Sequence, residues 1–214
     1  MEIKKGLYVI VDPSMEAASL LQKLELVVQD EITSAVQIWD HFKDENSVYE
    51  LVNKIINISH KQNKPVFINN RWELLRECNL DGIHFDAPIE NLDDIRKKIG
   101  KKFLVGITCG NDLSVVEWAK INKVDYISFC SMFPSSSAGS CELVNFETVR
   151  KASAIANIPV FLAGGINPNN LSSLKDLPYY GIAVISGIMN TNETLQQLQL
   201  YKHQLNLKYE SGNN

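Results

Sequence analysis

Short apolar segments alternate along the chain with segments whose apolar residues are spaced as on one face of a helix. The apolar segments are rich in Val, Ile and Phe, which is typical of strands buried on both faces. We predict strands over residues 6–11, 35–39, 65–69, 81–85, 102–108, 125–130, 159–163 and 182–186. The helical spacing predicts helices over 20–29, 48–58, 71–78, 89–99, 113–121, 146–156, 171–174 and 194–207, and Ser14 is a candidate N-cap for the first of them.

The alternation of eight strands with helices determines the expected fold. Right-handed crossovers between parallel strands close such a chain into a (β/α)8 barrel, the α/β fold also called a TIM barrel. An open, doubly wound sheet is the alternative, but the number of strands favours closure. We expect one barrel domain over residues 1–208, followed by a polar tail at 209–214. In such a barrel the chemistry lies at the carboxyl ends of the strands.

Composition limits the classes of partner. The chain has 214 residues, a formal net charge of −4 and no cluster of Lys and Arg, so we expect no nucleic-acid surface. No apolar run reaches the ~18 residues of a membrane helix, and the N-terminus lacks a signal-peptide core, which predicts a cytoplasmic protein without a membrane contact. Cys78, Cys109, Cys130 and Cys141 show no Cys-x-x-Cys spacing and are expected to be reduced thiols.

Two predicted strand ends near the C-terminus carry small residues. The apolar run within Ile158–Asn167 ends at Gly164-Gly165, and the run within Tyr180–Ile188 ends at Ser186-Gly187. Glycine lets backbone N–H groups approach a ligand closely, and the loops after strands seven and eight of (β/α)8 barrels frequently bind phosphate. The two ends together therefore predict a phosphate site, although glycines after a strand also suit tight turns.

The other strand ends carry motifs in a fixed order: Leu7-Tyr-Val-Ile-Val-Asp12, Val36-Gln-Ile-Trp-Asp-His41, Asn69-Asn-Arg71, Asp81-Gly-Ile-His-Phe-Asp-Ala87 and Phe133-Pro-Ser-Ser-Ser-Ala138. With the two glycine-containing ends, these motifs resemble the thiamin phosphate synthase family, including its thiazole tautomerase branch. The resemblance runs from the first strand to the eighth. It implies a (β/α)8 barrel and a transferase of thiamin biosynthesis, which joins an aminopyrimidine pyrophosphate to a thiazole phosphate and releases pyrophosphate.

The resemblance also implies which residues contact ligands. The implied substrate-binding residues are Gln37, Asn69, Arg71, Ser135, Ser137, Gly164, Gly165, Ser186 and Gly187. Trp39 departs from the family pattern, and its ring could stack on a heteroaromatic ligand or cap a smaller pocket, of which we favour ligand contact. The catalytic candidates are His84 and Ser137. The thiazole-phosphate end of the site keeps its hydroxyl, amide and glycine positions, so we expect the chain to bind a thiazole phosphate or thiamin phosphate. The family resemblance further implies a homodimer.

The pyrophosphate end of the implied site departs from the family pattern. In chain order, Trp39 replaces an Arg, His41 a Lys, Asn70 a metal-binding Asp and Ala138 a Lys, while the second metal-binding Asp falls near Pro88-Ile89, with Asp86 or Glu90 as its nearest replacement. Mg²⁺ favours carboxylates, so Asn70 is a poor metal ligand and Mg²⁺ is expected only if synthase activity is retained. Loss of several charged partners predicts a weak or altered transfer reaction, because one such donor is worth roughly 3–4 kcal/mol.

Two other functions remain open. The tautomerase branch needs neither metal nor pyrophosphate, and its members place a His just after strand five, where this chain has Gly110. His84 or His41 could supply acid–base catalysis instead, although a histidine in a barrel wall can also be purely structural. Cys109 is better interpreted as a small packed residue. The remaining alternative is a regulatory homologue that binds a phosphate ligand without catalysis.

Overall fold

The computed structural model describes residues 2–135 and 142–211. Eight parallel strands close into a barrel in which each strand pairs with the next along the chain and the last pairs with the first. The strands are β1 (Gly6–Val11), β2 (Thr33–Ile38), β3 (Val66–Asn69), β4 (Gly82–Phe85), β5 (Leu104–Cys109), β6 (Tyr126–Cys130), β7 (Val160–Ala163) and β8 (Gly181–Val184). The predicted (β/α)8 barrel is confirmed, and the open sheet is excluded because β1 and β8 are hydrogen-bonded neighbours.

Helices between the strands cover the outside of the barrel. They are α1 (Ala17–Val28), α2 (Val48–Lys61), α3 (Leu74–Glu77), α4 (Leu92–Ile99), α5 (Leu113–Ile121), α6 (Phe146–Ala156), α7 (Ser186–Met189) and α8 (Thr194–Ser211), with 3-10 turns at Glu45–Ser47 and Leu171–Leu174. Within the described residues, no helix is long and apolar enough to cross a membrane.

Several boundaries differ from the sequence predictions by a few residues, and three of the differences change how an element begins or ends. Ser14 does not cap α1; the carboxylate of Glu16 does, because it accepts two first-turn backbone N–H groups at 2.7 and 2.9 Å. Ser186, predicted as the last residue of strand eight, begins α7 instead. The polar tail predicted from residue 209 starts inside α8, where the hydroxyl of Tyr209 donates to the carbonyl oxygen of Tyr180 at 3.0 Å.

Side chains alternate between two cores along each strand. Leu7 faces outwards and packs in the large core that includes the helices, whereas its neighbour Tyr8 belongs to a separate cluster inside the barrel. Tyr8, Phe67, Tyr126 and Phe161 dominate that inner cluster, and their contacting rings have centroids 5.5–5.7 Å apart. We call these four residues the aromatic plug, because they fill the middle of the barrel.

Glycines on the neighbouring strands, at the positions paired with Phe67 and Tyr126, make room for the aromatic plug. A Cβ atom on Gly106 of β5 would lie 2.0 Å from the ring of Tyr126, and one on Gly82 of β4 would lie 2.4 Å from the ring of Phe67. Both rings are fully buried and cannot move aside without displacing their neighbours. The plug therefore requires the absence of a side chain at these two positions.

Gly106→Ala should destabilise the protein by about 2 kcal/mol or more, because the added methyl group overlaps the Tyr126 ring in a packed interior. Gly110→Ala is the matched control, since no atom lies within 4 Å of the Cβ that it would add. Its free energy of unfolding should stay within ~0.5 kcal/mol of the wild type. Urea denaturation of the three proteins measures both effects, and equal stability of the two variants would contradict the packing of the plug.

Candidate functional site

A cavity of about 430 Å³ opens above the aromatic plug, at the carboxyl ends of the strands. Its floor is formed by Tyr8, Tyr126 and Phe161 of the plug. Its walls are formed by Ile10, Gln37, Trp39, Asn69, His84, Asp86, Thr108, Ser128, Cys130, Ala163, Ala183 and Ile185. Aromatic and apolar surface with a few converging polar groups is typical of a pocket for a small organic ring.

A chain of hydrogen bonds crosses the floor of this cavity. The hydroxyl of Tyr8 donates to Gln37 Oε1 at 3.0 Å and lies 2.7 Å from the hydroxyl of Tyr126. His84 continues the chain, with Nδ1 2.9 Å from the Tyr126 hydroxyl and Nε2 2.9 Å from Thr108 Oγ1. Burial raises the pKa of both phenols, so both remain neutral at physiological pH. We refer to these five residues as the floor chain.

His84 is held in a neutral state within the floor chain. Burial lowers its pKa to about 4, although the carboxylate of Asp86 favours the protonated form. Both ring nitrogens already have hydrogen-bond partners, the hydroxyls of Tyr126 and Thr108. A base this weak, with no free nitrogen, is poorly suited to abstract a proton from a ligand. Catalysis by His84 stays a prediction, and the geometry favours a positioning role.

A smaller pocket of about 90 Å³ adjoins the larger cavity at the ends of β7 and β8. It is lined by Ser135, Gly164, Gly165, Ile166, Val184, Ser186 and Gly187, together with five residues that also line the larger cavity. The predicted phosphate-binding residues of the two glycine-containing strand ends therefore lie around one pocket. Ser137, the other predicted hydroxyl, lies outside the described residues.

The glycines of the smaller pocket are required by close contacts. Gly165 has a φ of +68°, which disfavours other residues, and a Cβ on it would lie 2.6 Å from the carbonyl oxygen of Phe133. A Cβ on Gly187 would lie 2.2 Å from the hydroxyl of Tyr201, which donates to the carbonyl oxygen of Ile166. Added side chains would therefore clash at both glycines, with backbone at Gly165 and with the Tyr201 ring at Gly187, and the lining of the pocket is uncharged.

The sequence model of the family described as "Thiamine monophosphate synthase" matches residues 7–188. The chain belongs to this family. The thiamine-phosphate synthase of Clostridium tetani (strain Massachusetts / E88) is 30% identical over 190 residues, which cover 87% of this chain and 89% of that protein. Thiamine-phosphate synthase 1 of Aquifex aeolicus (strain VF5) is 30% identical over 184 residues, which cover 86% and 85%.

Solved structures give the same fold. A thiamine phosphate pyrophosphorylase from Pyrococcus furiosus superposes with a TM-score of 0.79 at 20% identity, covering 95% of this chain and 96% of that one. A thiamine phosphate pyrophosphorylase from Bacteroides thetaiotaomicron superposes with a TM-score of 0.63 at 21% identity, covering 96% and 98%. At these identities the likeness shows the barrel and not the chemistry.

Arg71, expected to bind substrate in this member of the thiamine monophosphate synthase family, is held by two carboxylates. Its Nε donates to Asp40 in a short hydrogen bond, and its two terminal nitrogens donate to the Glu45 carboxylate at 2.6 and 2.8 Å. The guanidinium carbon also lies 4.9 Å from the centre of the Phe42 ring. Hydrogen bonding to Glu45 raises the pKa of Arg71. The charge is thus neutralised locally, and Arg71 lines neither pocket.

The end of β2 carries two aromatic rings where the family pattern has an Arg and a Lys. The rings of Trp39 and His41 stack with centroids 4.1 Å apart and an interplanar angle of 31°. Trp39 lines the larger cavity, whereas the His41 side chain is 58% exposed and its Nδ1 lies 4.0 Å from the carboxylate of Asp12. An aromatic surface therefore occupies the positions that the family pattern gives to cations.

The candidate metal ligands Asn70 and Asp86 form hydrogen bonds with each other. The Asn70 amide nitrogen donates to Asp86 Oδ2 at 2.8 Å, and its amide oxygen accepts from the Asp86 backbone at 3.2 Å. Asp86 Oδ1 accepts from Asn69 at 2.9 Å, and Glu90 is exposed. Within residues 2–135 and 142–211, no three His, Cys, Asp or Glu side chains are placed so that they could hold a metal ion. The Asn70 oxygen already accepts a hydrogen bond, so Asp86 supplies the one carboxylate of this pair. The described residues here do not fit a protein-built Mg²⁺ site.

Most of the residues singled out in the sequence come together at one end of the barrel. Gln37, Trp39, Asn69 and His84 line the larger cavity, Ser135, Gly164, Gly165, Ser186 and Gly187 line the smaller pocket, and Arg71 and Asn70 line neither. Burial raises the pKa of Cys109 to about 12, which fits a packed thiol. Among the described cysteines, Cys78, Cys109 and Cys130 form no disulfide.

Sequence reasoning missed the floor of the cavity. Tyr8 lies inside β1 and Tyr126 begins β6, so neither stands at the carboxyl end of a strand, where site residues are expected. The signal that could have found them is the alternation of facing along a strand, which puts Tyr8 two residues before Ile10 on the inner face. The role of Thr108, near the end of β5, becomes visible only from its contact with His84 in the folded barrel.

His84 should make the stability of the protein depend on pH. Its pKa is about 4 in the folded protein against 6.5 in a free chain, so between these values the unfolded state binds more protons. The free energy of unfolding should therefore decrease as the pH falls from about 6.5 to about 4, by about 3 kcal/mol in total. Urea denaturation over this pH range measures the slope. His84→Gln should flatten it, and an unchanged slope in this variant would contradict the assignment.

Proposed function

We propose that this protein binds a thiazole phosphate or thiamin phosphate, with the phosphate in the smaller pocket and the ring in the larger cavity. The observation that carries the proposal is that the two pockets adjoin, sharing Ile10, Cys130, Ala163, Ala183 and Ile185. One ligand with an organic ring and a short phosphorylated arm can therefore occupy both. The curated relatives are named thiamine-phosphate synthases, which suggests the chemical identity of that ring.

Backbone groups support phosphate binding at the smaller pocket. Among the described residues, neither the N–H of Gly164 nor that of Gly165 has a hydrogen-bond acceptor. The hydroxyl-bearing residues Ser135 and Ser186 line the same pocket. Backbone N–H groups in a concave turn are effective donors to phosphate oxygens, and a phosphate monoester needs no metal to be held in this way.

We further propose that transfer with release of pyrophosphate is slow or absent. A pyrophosphate leaving group requires cations close to the departing oxygens. At the rim where the family pattern supplies them, this chain has the Trp39–His41 ring pair, and Arg71 is engaged by Asp40 and Glu45. Mg²⁺ would be required if synthase activity is retained, and its ligands would then have to come mainly from the substrate.

A tautomerase is the less favoured alternative. It would depend on His84 or His41 as a proton-transfer group. Both nitrogens of His84 are hydrogen-bonded and its pKa is low, while His41 does not line either pocket. A regulatory homologue that only binds the ligand is the other alternative, and it differs from the main proposal in having no turnover at all. The cytoplasmic location and the homodimer remain expectations.

Titration calorimetry with thiazole phosphate should give a dissociation constant in the micromolar range, equivalent to about −8 kcal/mol. Ser186→Asp should weaken binding at least tenfold, because a carboxylate would then line the pocket proposed for the phosphate. Ser173→Asp is the matched control, since Ser173 is exposed and lines neither pocket. The unphosphorylated thiazole alcohol should bind much more weakly. Equal affinity for the alcohol and the phosphate would refute the assignment of the smaller pocket.

Synthase turnover with aminopyrimidine pyrophosphate, thiazole phosphate and Mg²⁺ should be far below the ~1 s⁻¹ that is ordinary for enzymes. Replacing Trp39, His41 and Asn70 together by Arg, Lys and Asp should raise product formation at least tenfold, because it returns charge to the rim near the leaving group. Product formation followed by chromatography measures both. Turnover of the wild type at an ordinary rate would overturn the proposed loss of transfer without affecting the binding proposal.

A further inference from the structure

The directions of the hydrogen bonds in the floor chain follow from its Gln37 end. The hydroxyl of Tyr8 donates to Gln37 Oε1, an amide oxygen that can only accept. A phenol has a single hydrogen, so Tyr8 must accept from Tyr126, which lies 2.7 Å away. Tyr126 has then used its own hydrogen, and it must accept from Nδ1 of His84 at 2.9 Å.

The number of available hydrogens also fixes the directions of the bonds at the His84 imidazole. A neutral imidazole carries one hydrogen, and with that hydrogen on Nδ1 the other nitrogen offers only a lone pair. The hydroxyl of Thr108, 2.9 Å from Nε2, must therefore be the donor in the last bond. We propose that the floor chain fixes His84 as the Nδ1–H tautomer, and that His84 is a positioning residue which sets the direction of the Thr108 hydroxyl.

Burial restricts the floor chain to hydrogen-bond partners within the protein. Tyr126 is 1% exposed, Tyr8 2% and His84 5%, so bulk water does not replace a missing partner within the chain. A buried donor without an acceptor is costly. Burial also keeps His84 and both phenols neutral, as the directions of their pKa shifts indicate, so no group in the chain gains or loses a hydrogen near neutral pH.

The two ends of the floor chain therefore offer opposite hydrogen-bonding groups to the cavity, donors at Gln37 and acceptors at Thr108. Gln37 keeps its amide N–H groups, for which the described residues provide no acceptor, and Thr108 keeps its lone pairs. If the proposed function holds, the ring bound there presents an acceptor towards Gln37 and an N–H or amino group towards Thr108. Reversing the chain would exchange the donor and acceptor roles of both ends together.

The tautomer can be measured in the ligand-free protein, so this test is independent of the proposed function. Two-bond proton–nitrogen correlation spectra of histidine-labelled protein at neutral pH should show His84 predominantly as Nδ1–H, in roughly a tenfold excess, which corresponds to about 1.4 kcal/mol. Tyr8→Phe should reverse the ratio. Without the Tyr8 oxygen, the hydrogen of Tyr126 must go to His84 Nδ1, and the imidazole hydrogen must move to Nε2.

Phe161→Leu is the matched control for packing. The Phe161 ring lies 5.6 Å from the rings of both Tyr8 and Tyr126 but carries no hydroxyl, so this variant should keep the Nδ1–H form. Gln37 gives a second pair of variants at the far end of the chain. Gln37→Glu, which can only accept, should keep the Nδ1–H form, whereas Gln37→Lys, which can only donate, should give the Nε2–H form.

A wild-type His84 that is Nε2–H or doubly protonated at neutral pH would overturn the proposal. The proposal would also fail if Tyr8→Phe, or Gln37→Lys where Tyr8→Phe does not fold, leaves the tautomer unchanged. A merely structural histidine would respond to Phe161→Leu as much as to Tyr8→Phe, and an equal response in these two variants would likewise refute the coupling along the chain.

Discussion

The packing of four aromatic rings inside the barrel is the constraint on which the site depends. Tyr8, Phe67, Tyr126 and Phe161 fill the interior, and the Tyr126 ring leaves no room for a side chain at Gly106, its paired position on the neighbouring strand β5. Large rings bury much apolar surface and pack best in tilted or edge-on pairs. The plug therefore fixes how deep the cavity is and which atoms form its floor.

Two of the four rings carry hydroxyl groups, and those hydroxyls connect packing to chemistry. A phenol in a barrel interior must satisfy its hydrogen bond inside the barrel. Tyr8 donates to Gln37 of β2, and Tyr126 donates to Tyr8 and accepts from His84 of β4, so these two polar residues are held in place by the plug below them. Asn69 is held in a similar way from the side, by the backbone carbonyl of His84 and the carboxylate of Asp86.

The barrel and the glycine-lined pocket were predictable because their signals are local. Strand and helix periodicity lies within each segment, and Gly164-Gly165 and Ser186-Gly187 stand next to their own strands. The floor chain was not predictable, because Tyr8 and Tyr126 are 118 positions apart and meet only when the barrel closes. For the same reason Arg71 was expected to bind substrate, although residues 31 and 26 positions away engage it.

The smaller pocket and the floor of the larger cavity are polar without net charge, whereas Asp86 adds a carboxylate to the wall of the larger cavity. The smaller pocket offers backbone and hydroxyl groups, and the floor chain is neutral throughout. Near the end of β3 the candidate cation Arg71 is neutralised, and releasing it to a pyrophosphate would leave Asp40 and Glu45 facing the same anion. Bringing like charges together in this way raises the energy of the bound state. On the proposed function, a phosphate monoester avoids that cost because it lies in the smaller pocket at the ends of β7 and β8, away from Arg71, and this difference selects the ligand.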